Sequence, residues 1–348
     1  MHVGIVGGGI SGLSSALLLR REGHDVTLFE ASGRLGGRIH THRFGRGADG
    51  RDVYFEAGAM RIPRSALHEE VFSLIKFLNA HNPPAMKVNL IPYILEHQNN
   101  KAFIKGQKLD LDDPCWGQIL NISIEFHGKS ARTLLLEVVG PWLDLLRADF
   151  ESGFQKVLEY DEYSFRQYLR TVKGWPHEVI EYVELMNSQV SNSYTHYRWT
   201  GTDIVPCCSQ TNQYDLSFTE LIMQNLDFDT QQWSTVEGGM SNLIEACVHL
   251  VGRKNIRVHS PVRSISERPD GKVELGISGQ VGRTCAFDKV LLAMPTAAMH
   301  SIRQRPTWSF MKEQSLRGSW FEPLYKMGLH FRTRFWEHLA EPSFGGQR

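Results

Sequence analysis

The residues with the clearest chemical potential form a glycine-rich turn near the start of this 348-residue chain. Residues 7–12 read Gly-Gly-Gly-Ile-Ser-Gly and match the G-x-G-x-x-G pattern that binds dinucleotide phosphates. Glycine permits a tight turn, close approach of the backbone to a pyrophosphate and close helix–strand packing, and the helix start presents free amides. The predicted cofactor contacts in this turn are Gly7, Gly9, Ile10, Ser11 and Gly12.

Two further groups of residues suit a nucleotide. Glu30 ends the next predicted strand, and a carboxylate there accepts hydrogen bonds from ribose hydroxyls and disfavours a 2′-phosphate. From Glu30 the sequence continues as E-x-x-x-R-x-G-G-R, which contributes Arg34, Gly36, Gly37 and Arg38. The arginine fork meets phosphate oxygens in bidentate fashion, so we expect both arginines near a pyrophosphate. The alternative is a pair of solvated surface arginines.

This extended signature resembles that of the flavin amine oxidases, and the resemblance implies FAD as cofactor. A second string, residues 56–63 (E-A-G-A-M-R-I-P), resembles the L-amino-acid oxidases in particular. The resemblance implies that Arg61 binds the substrate carboxylate and that Gly58, Ala59 and Met60 lie near the flavin. Monoamine and polyamine oxidases lack an arginine at this point. Arg61 could instead pair structurally with Glu56 or Glu69.

Three signals in the second half of the chain extend the resemblance. Lys326 lies in residues 323–331, whose alternation predicts a strand, and the resemblance implies a catalytic lysine that holds a water at flavin N5. A snorkelling lysine on an edge strand is the alternative. Val262 corresponds to the family position whose backbone contacts the FAD adenine. Residues 237–240 (E-G-G-M) resemble the glycine pair that opens the family's next helix.

The elements that must position these residues follow from hydrophobic patterning. Residues 2–30 predict a strand, a glycine turn, a helix and a second strand, whereas residues 31–63 look loop-rich. Residues 64–200 look mostly helical, apart from a less regular part over residues 82–115 in which short strands are expected. Strand patterns return after residue 242, with a hairpin turn at Asp270-Gly271.

The predicted fold class is therefore α/β: a Rossmann-like, GR2-type FAD-binding domain with an inserted mixed substrate domain and a helical subdomain. The FAD-binding domain is expected to be discontinuous, from residues 1–63 and 235–300. An incomplete substrate-binding domain would take residues 64–115, 206–234 and 301–348. Residues 116–205 would form the helical insertion.

Composition narrows the functional classes. Basic and acidic residues balance at 38 each, so nothing favours nucleic acid or an anionic membrane as a partner. The five cysteines include no C-x-x-C pair, so we expect no metal site and reduced thiols in an intracellular, cytoplasmic setting. No apolar run reaches the ~20 residues of a membrane span, and no signal peptide is expected.

The resemblance implies oxidative deamination of an L-amino acid by FAD and O₂, giving the 2-oxo acid, ammonia and hydrogen peroxide. A monoamine or polyamine oxidase and an amino-acid monooxygenase are the alternatives. The family continues well beyond a Gly-Gly stretch like that at residues 345–346. The chain is therefore expected to be one part of a split enzyme that needs a missing C-terminal chain, a truncated product, or a shortened non-catalytic relative. A homo-oligomer is the alternative to a missing C-terminal chain as a partner.

Overall fold

A computed structural model describes residues 1–47, 50, 52–94, 97, 99–110, 112–187, 213–227, 232–278, 284–319 and 326–344. The chain divides into two compact units. Unit 1 comprises Met1–Ile62, Ala66–Pro92 and Ser234–Thr333, and unit 2 comprises Pro63–Ser65, Tyr93–Trp233 and Arg334–Arg348. The assignment of functions to segments given above stays a prediction.

The secondary structure of the described residues is numbered along the chain. The strands are β1 (His2–Val6), β2 (Asp25–Phe29), β3 (Thr41–Arg46), β4 (Asp52–Glu56), β5 (Ile62–Pro63), β6 (Leu90–Pro92), β7 (Lys101–Ile104), β8 (Gln107–Asp110), β9 (Trp233–Val236), β10 (Ile256–Arg257), β11 (Val262–Glu267), β12 (Val273–Ile277), β13 (Thr284–Phe287) and β14 (Lys289–Leu292). The α-helices are α1 (Ile10–Arg21), α2 (Glu69–His81), α3 (Trp116–Ile119), α4 (Ala131–Ala148), α5 (Phe150–Leu158), α6 (Phe165–Thr171), α7 (His177–Asn187), α8 (Phe218–Asp227), α9 (Ser241–Val251), α10 (Thr296–Met299) and α11 (Phe310–Gly318).

A parallel sheet in the order β10-β2-β1-β14 organises unit 1. β1 is a continuous apolar run in which Val3, Ile5 and Val6 are at most 4% exposed, as expected for a strand covered on both faces. α1 connects β1 to β2 and packs against α9. The strand–turn–helix–strand unit predicted for residues 2–30 is confirmed, and with it the Rossmann-like α/β fold class.

An antiparallel sheet in the order β11-β12-β13 accompanies the parallel sheet in unit 1. The hairpin predicted at Asp270-Gly271 is confirmed, because β11 and β12 pair on either side of it. Gly271 has a φ of +78°, a conformation that glycine adopts without strain. Leu275 and Phe287 from this sheet are buried against Val6 and Phe29 of the parallel sheet.

The prediction of a loop-rich stretch over residues 31–63 is wrong in part. β3 and β4 pair as an antiparallel hairpin within it, with Thr41 opposite Glu56. Most side chains of β3 are exposed, so the alternation of apolar and polar residues that marks a half-buried strand is missing from the sequence. The ladder of backbone hydrogen bonds, which the sequence does not display, defines these strands.

The strand predicted over residues 323–331 is also not observed where the chain is described. Residues 326–331 adopt no strand, and residues 323–325 lie outside the described part of the chain. Met327 and Leu329 are 84% and 69% exposed. Alternating residues produce a strand only when a neighbouring strand supplies hydrogen bonds, and the described residues provide none for this segment.

The described part of unit 2 is built mainly from helices, in agreement with the helical prediction, while residues 188–200 of the predicted range lie outside the described part of the chain. Its core joins residues from α3 to α8, including the fully buried Trp116, Tyr182 and Phe218. Arg166 of α6 pairs with Asp215 at 2.8 Å and also with Glu181 and the fully buried Glu184. Over the described residues, no helix is both long enough and apolar enough to cross a membrane.

A capping box fixes the start of α6. Ser164 Oγ accepts a hydrogen bond from the backbone N–H of Gln167 at 3.1 Å, and Gln167 Oε1 accepts one from the backbone N–H of Ser164 at 3.0 Å. We expect Ser164→Ala to lower the free energy of unfolding by about 1 kcal/mol, measured by urea denaturation. Ser309→Ala is the matched control, because Ser309 precedes α11 without a side-chain cap bond. Equal losses in both variants would contradict the prediction.

Candidate active site

A cavity of about 730 Å³ opens in unit 1 where β1, β2 and β14 end at their carboxyl termini. In open α/β sheets this edge is where ligands bind, and the volume lies in the range of roughly 300–1,000 Å³ typical of small-molecule sites. The sequence-predicted residues that line it are Gly7, Gly9, Ile10, Ser11, Glu30, Gly36, Gly37, Arg38 and Val262. The structure therefore brings most of the predicted cofactor contacts into one cavity.

The glycines of the first turn have different physical roles. Gly7 has a φ of +117°, and a Cβ added to it would lie 2.4 Å from the carbonyl oxygen of Ala293. A Cβ on Gly12 would lie 2.0 Å from the carbonyl oxygen of Gly7. A Cβ on Gly9 would meet nothing closer than 4.0 Å, so this glycine leaves open space beside the cavity. Gly7 and Gly12 thus allow the turn to close, while Gly9 leaves room for a ligand.

Glu30 lies at the end of β2 and faces the same turn. Its carboxylate accepts hydrogen bonds from the Gly8 amide and from the amide and hydroxyl of Ser32, each at 2.8 Å. These donors fix the carboxylate at the cavity wall, where its remaining lone pairs are available to ribose hydroxyls.

Loss of this carboxylate should weaken cofactor binding without unfolding the chain. For Glu30→Gln we expect the FAD dissociation constant to rise about 5- to 30-fold, which corresponds to roughly 1–2 kcal/mol for hydrogen bonds to a charged acceptor. Quenching of FAD fluorescence on titration into the flavin-stripped protein measures it. Glu22→Gln, on an exposed side chain paired with Arg21, is the control. Equal affinities in the two variants would argue against a ribose contact at Glu30.

The two arginines of the second motif lie in different places. Arg38 lines the cavity, whereas Arg34 does not. The Arg34 guanidinium donates to the carbonyls of Leu35, Gly37 and Ile39 at 2.9–3.3 Å, so it braces the glycine loop. A direct contact of Arg34 with phosphate stays a prediction, and the structure shows the loop-bracing role.

Other cavity residues were not predicted from the sequence. They lie at and after the end of β14 (Leu292, Ala293, Met294 and Pro295) and at the start of β11 or just before it (Ser260, Pro261 and Arg263). One signal could have identified the β14 group, because a strand that pairs parallel with β1 must end at the same edge of the sheet. The apolar run within residues 288–293 predicts that strand, but nothing in the sequence gives its pairing.

The residues of the second string adjoin this cavity through Arg38. The Ala59 amide donates to the Arg38 carbonyl at 3.0 Å, and a Cβ on Gly58 would lie 1.9 Å from that same oxygen. Gly58 is therefore required for close backbone packing. Met60 and the half-buried Arg61 follow directly, and none of Gly58, Ala59, Met60 and Arg61 lines the cavity.

Lys326 lies against the same turn. Its ammonium donates to the carbonyl of Glu56 at 3.3 Å and to the carbonyl of Gly58. Burial lowers the pKa of Lys326, Arg61 lowers it further, and the Glu56 carboxylate opposes both effects. Arg61 thus lies within electrostatic reach of Lys326, and the structure brings together the two cations that the sequence predicted for the substrate side. No group of residues suited to hold a metal ion occurs in the described ranges.

The parallel sheet, the glycine turn and the cavity at the strand ends define a dinucleotide-binding fold of the flavoprotein type. The crowding at Gly7 and Gly12, the open wall at Gly9 and the carboxylate of Glu30 fit an adenine dinucleotide such as FAD.

Comparisons with known proteins agree with this class. The family model of flavin containing amine oxidoreductases matches residues 10–348. The chain is 29% identical to an L-amino-acid oxidase of Siganus canaliculatus, over 97% of this chain and 58% of the relative. It is 25% identical to the flavin-dependent L-tryptophan oxidase of Lentzea aerocolonigenes, over 99% and 69% respectively. The solved cyclohexylamine oxidase from Brevibacterium oxydans superposes with a TM-score of 0.58 at 19% identity, covering 91% of this chain and 62% of that one.

The chain belongs to the flavin-containing amine oxidoreductase family. Its cofactor is FAD. It spans less than two thirds of the length of the Siganus relative.

Proposed function

We propose that this chain carries the FAD site and the carboxylate-binding site of an enzyme that oxidises an L-amino acid to the 2-oxo acid, ammonia and hydrogen peroxide. The observation that carries the proposal is the position of Arg61 and Lys326 at the turn that adjoins cavity residue Arg38. The relatives named as an L-amino-acid oxidase and an L-tryptophan oxidase support the same substrate class.

The charges at this turn favour an anionic ligand. Arg61 and Lys326 contribute two positive charges, and Glu56 contributes one negative charge that acts on Lys326. A substrate carboxylate would add a negative charge beside these two cations, and a guanidinium can offer a carboxylate two parallel hydrogen bonds. An amine without a carboxylate would leave the guanidinium without this partner, which is the kind of loss that allows an enzyme to reject an analogue strongly.

The same charges determine the form of the amino group that can bind. Two neighbouring cations disfavour an ammonium, so the substrate amine is expected to bind neutral, with its lone pair available. Arg61 then orients the substrate through its carboxylate. When bound, the flavin supplies the acceptor for the two electrons that leave the substrate, and O₂ is the terminal oxidant.

A spectroscopic experiment tests the proposal. The purified chain is loaded with FAD, made anaerobic and mixed in turn with L-amino acids, their D-enantiomers and the corresponding amines without a carboxylate. Loss of the oxidised-flavin absorbance with L-amino acids alone supports the proposal. Loss with the amines instead would make this an amine oxidase, and an amide product under air would indicate a monooxygenase.

Because the chain spans only part of the length of its relatives, the experiment needs one further arm. If the chain holds no flavin, the same titration is repeated with the remaining part of a full-length relative supplied as a second chain. Flavin binding and bleaching only in the mixture would indicate a partner-dependent enzyme. No response in either arm would favour a non-catalytic role.

A further inference from the structure

One acidic residue links the turn of residues 56–61 to a helix that is distant in the sequence. Glu56 is the last residue of β4, and its carboxylate accepts a hydrogen bond from the Met240 amide at 2.7 Å. The second carboxylate oxygen accepts one from the hydroxyl of Thr41 at 2.9 Å. Met240 immediately precedes α9, so the carboxylate lies at the helix N-terminus, where a negative charge is stabilising.

A second pair of hydrogen bonds makes this link reciprocal. The Ser241 amide donates to the Thr41 hydroxyl at 2.9 Å, and the Thr41 amide donates to the Ser241 hydroxyl at 2.9 Å. Thr41 and Met240 are only 8% and 3% exposed, so water competes little for these bonds. The glycine pair predicted before this helix has a role here, because a Cβ on Gly239 would lie 2.5 Å from Thr41.

The backbone of Glu56 holds the other side of the site. Its carbonyl and that of Gly58 accept hydrogen bonds from the Lys326 ammonium. We propose that Glu56 is a positioning residue: its carboxylate fixes the turn of residues 56–61 against the start of α9, and its backbone holds the lysine there. The inference rests on the proposed function, because it assigns a role to the same turn.

The charge of Glu56 supports this role. Among the described residues, Glu56 raises the pKa of Lys326 and Arg61 lowers it. Burial and the charge of Arg34 lower the pKa of His40, and the Glu56 carboxylate opposes them. Burial and, after it, the Glu56 carboxylate raise the pKa of Tyr54. Removal of the carboxylate should therefore lower the pKa of Lys326 and favour its neutral form.

The test measures Lys326 directly and needs neither flavin nor substrate. Lysines are converted to ¹³C-dimethyl-lysine, the Lys326 signal is assigned by its loss in Lys326→Arg, and its titration is followed by NMR. In Glu56→Gln the titration should shift to lower pH, whereas Glu56→Asp, which keeps the charge, should restore much of it. Glu313→Gln is the matched control, because it removes a carboxylate of unit 1 that pairs with Arg305.

A second measurement decides the case if Glu56→Gln does not fold. Thr41→Val removes the hydroxyl that joins Glu56 to Ser241, whereas Thr41→Ser keeps it. Limited acetylation, quantified by mass spectrometry, should modify Lys326 several-fold faster in Thr41→Val than in Thr41→Ser. An unchanged Lys326 titration in folded Glu56→Gln, or equal acetylation in the two Thr41 variants, would overturn the proposal. Failure of the chain to oxidise amino acids would affect only the proposed function.

Discussion

Arg61→Met should raise the KM for L-amino acids about 30- to 150-fold in the FAD-loaded protein. Removal of one partner of a hydrogen-bonded charge pair costs at least about 2–3 kcal/mol, and each 1.4 kcal/mol is a factor of ten. The free-energy cost is expected at the lower end of the range for such pairs, because Arg61 is half-buried and its charge is partly screened by water. Methionine keeps a long side chain, so the loss of charge is separated from the loss of volume.

The selectivity of the variant is as informative as its KM. Amines without a carboxylate cannot use the guanidinium, so their oxidation should fall little, and the preference for amino acids over amines should shrink by the same factor. Arg64→Met is the control, because Arg64 lies three residues further along and is exposed. A KM unchanged in Arg61→Met and equal to that of the control would remove Arg61 from the carboxylate site. The carboxylate would then have to bind elsewhere, and Lys326 would be the next residue to test.

Local physical rules explain why the cofactor side could be predicted from the sequence. The buried run of β1, the glycine turn and the stripe of α1 lie within residues 2–30, so their signals are contiguous. Glycine is required at positions 7 and 12, because an added Cβ would clash with the carbonyl oxygen of Ala293 or of Gly7, respectively. Such a unit must place Glu30 at the strand end, and the structure shows it bonded to Gly8 there.

The substrate side depends on long-range contacts that no local pattern contains. Glu56 and Met240 are 184 positions apart, and Lys326 and Glu56 are 270 positions apart. The sequence indicated Lys326 through an alternating pattern, yet residues 326–331 adopt no strand. Lys326 is held in place by hydrogen bonds from its ammonium to the backbone carbonyls of Glu56 and Gly58. The role of Glu56 could not be read from residues 56–63, because its partners Thr41 and Met240 belong to other elements.

Two alanine substitutions in the first turn should separate folding from cofactor binding. Gly12→Ala places a Cβ 2.0 Å from the Gly7 carbonyl oxygen, so backbone must move. Overpacking of this kind costs about 1–3 kcal/mol, and the melting temperature should fall together with FAD affinity. The new Cβ of Gly9→Ala meets no atom closer than 4.0 Å, and Gly9 has a φ of −78°, which alanine adopts readily, so the fold should keep its stability.

The added methyl group of Gly9→Ala should nevertheless interfere with the cofactor, because Gly9 lines the cavity where the backbone must approach the pyrophosphate. A steric cost of about 1–3 kcal/mol would raise the FAD dissociation constant roughly 5- to 150-fold. Gly318→Ala, at the exposed end of α11 with nothing within 4 Å of the new Cβ, should change neither quantity. Differential scanning fluorimetry and FAD titration measure the two effects separately. Unchanged FAD affinity in Gly9→Ala would mean that the pyrophosphate does not lie against this turn, whereas a loss of affinity at full stability would locate it there.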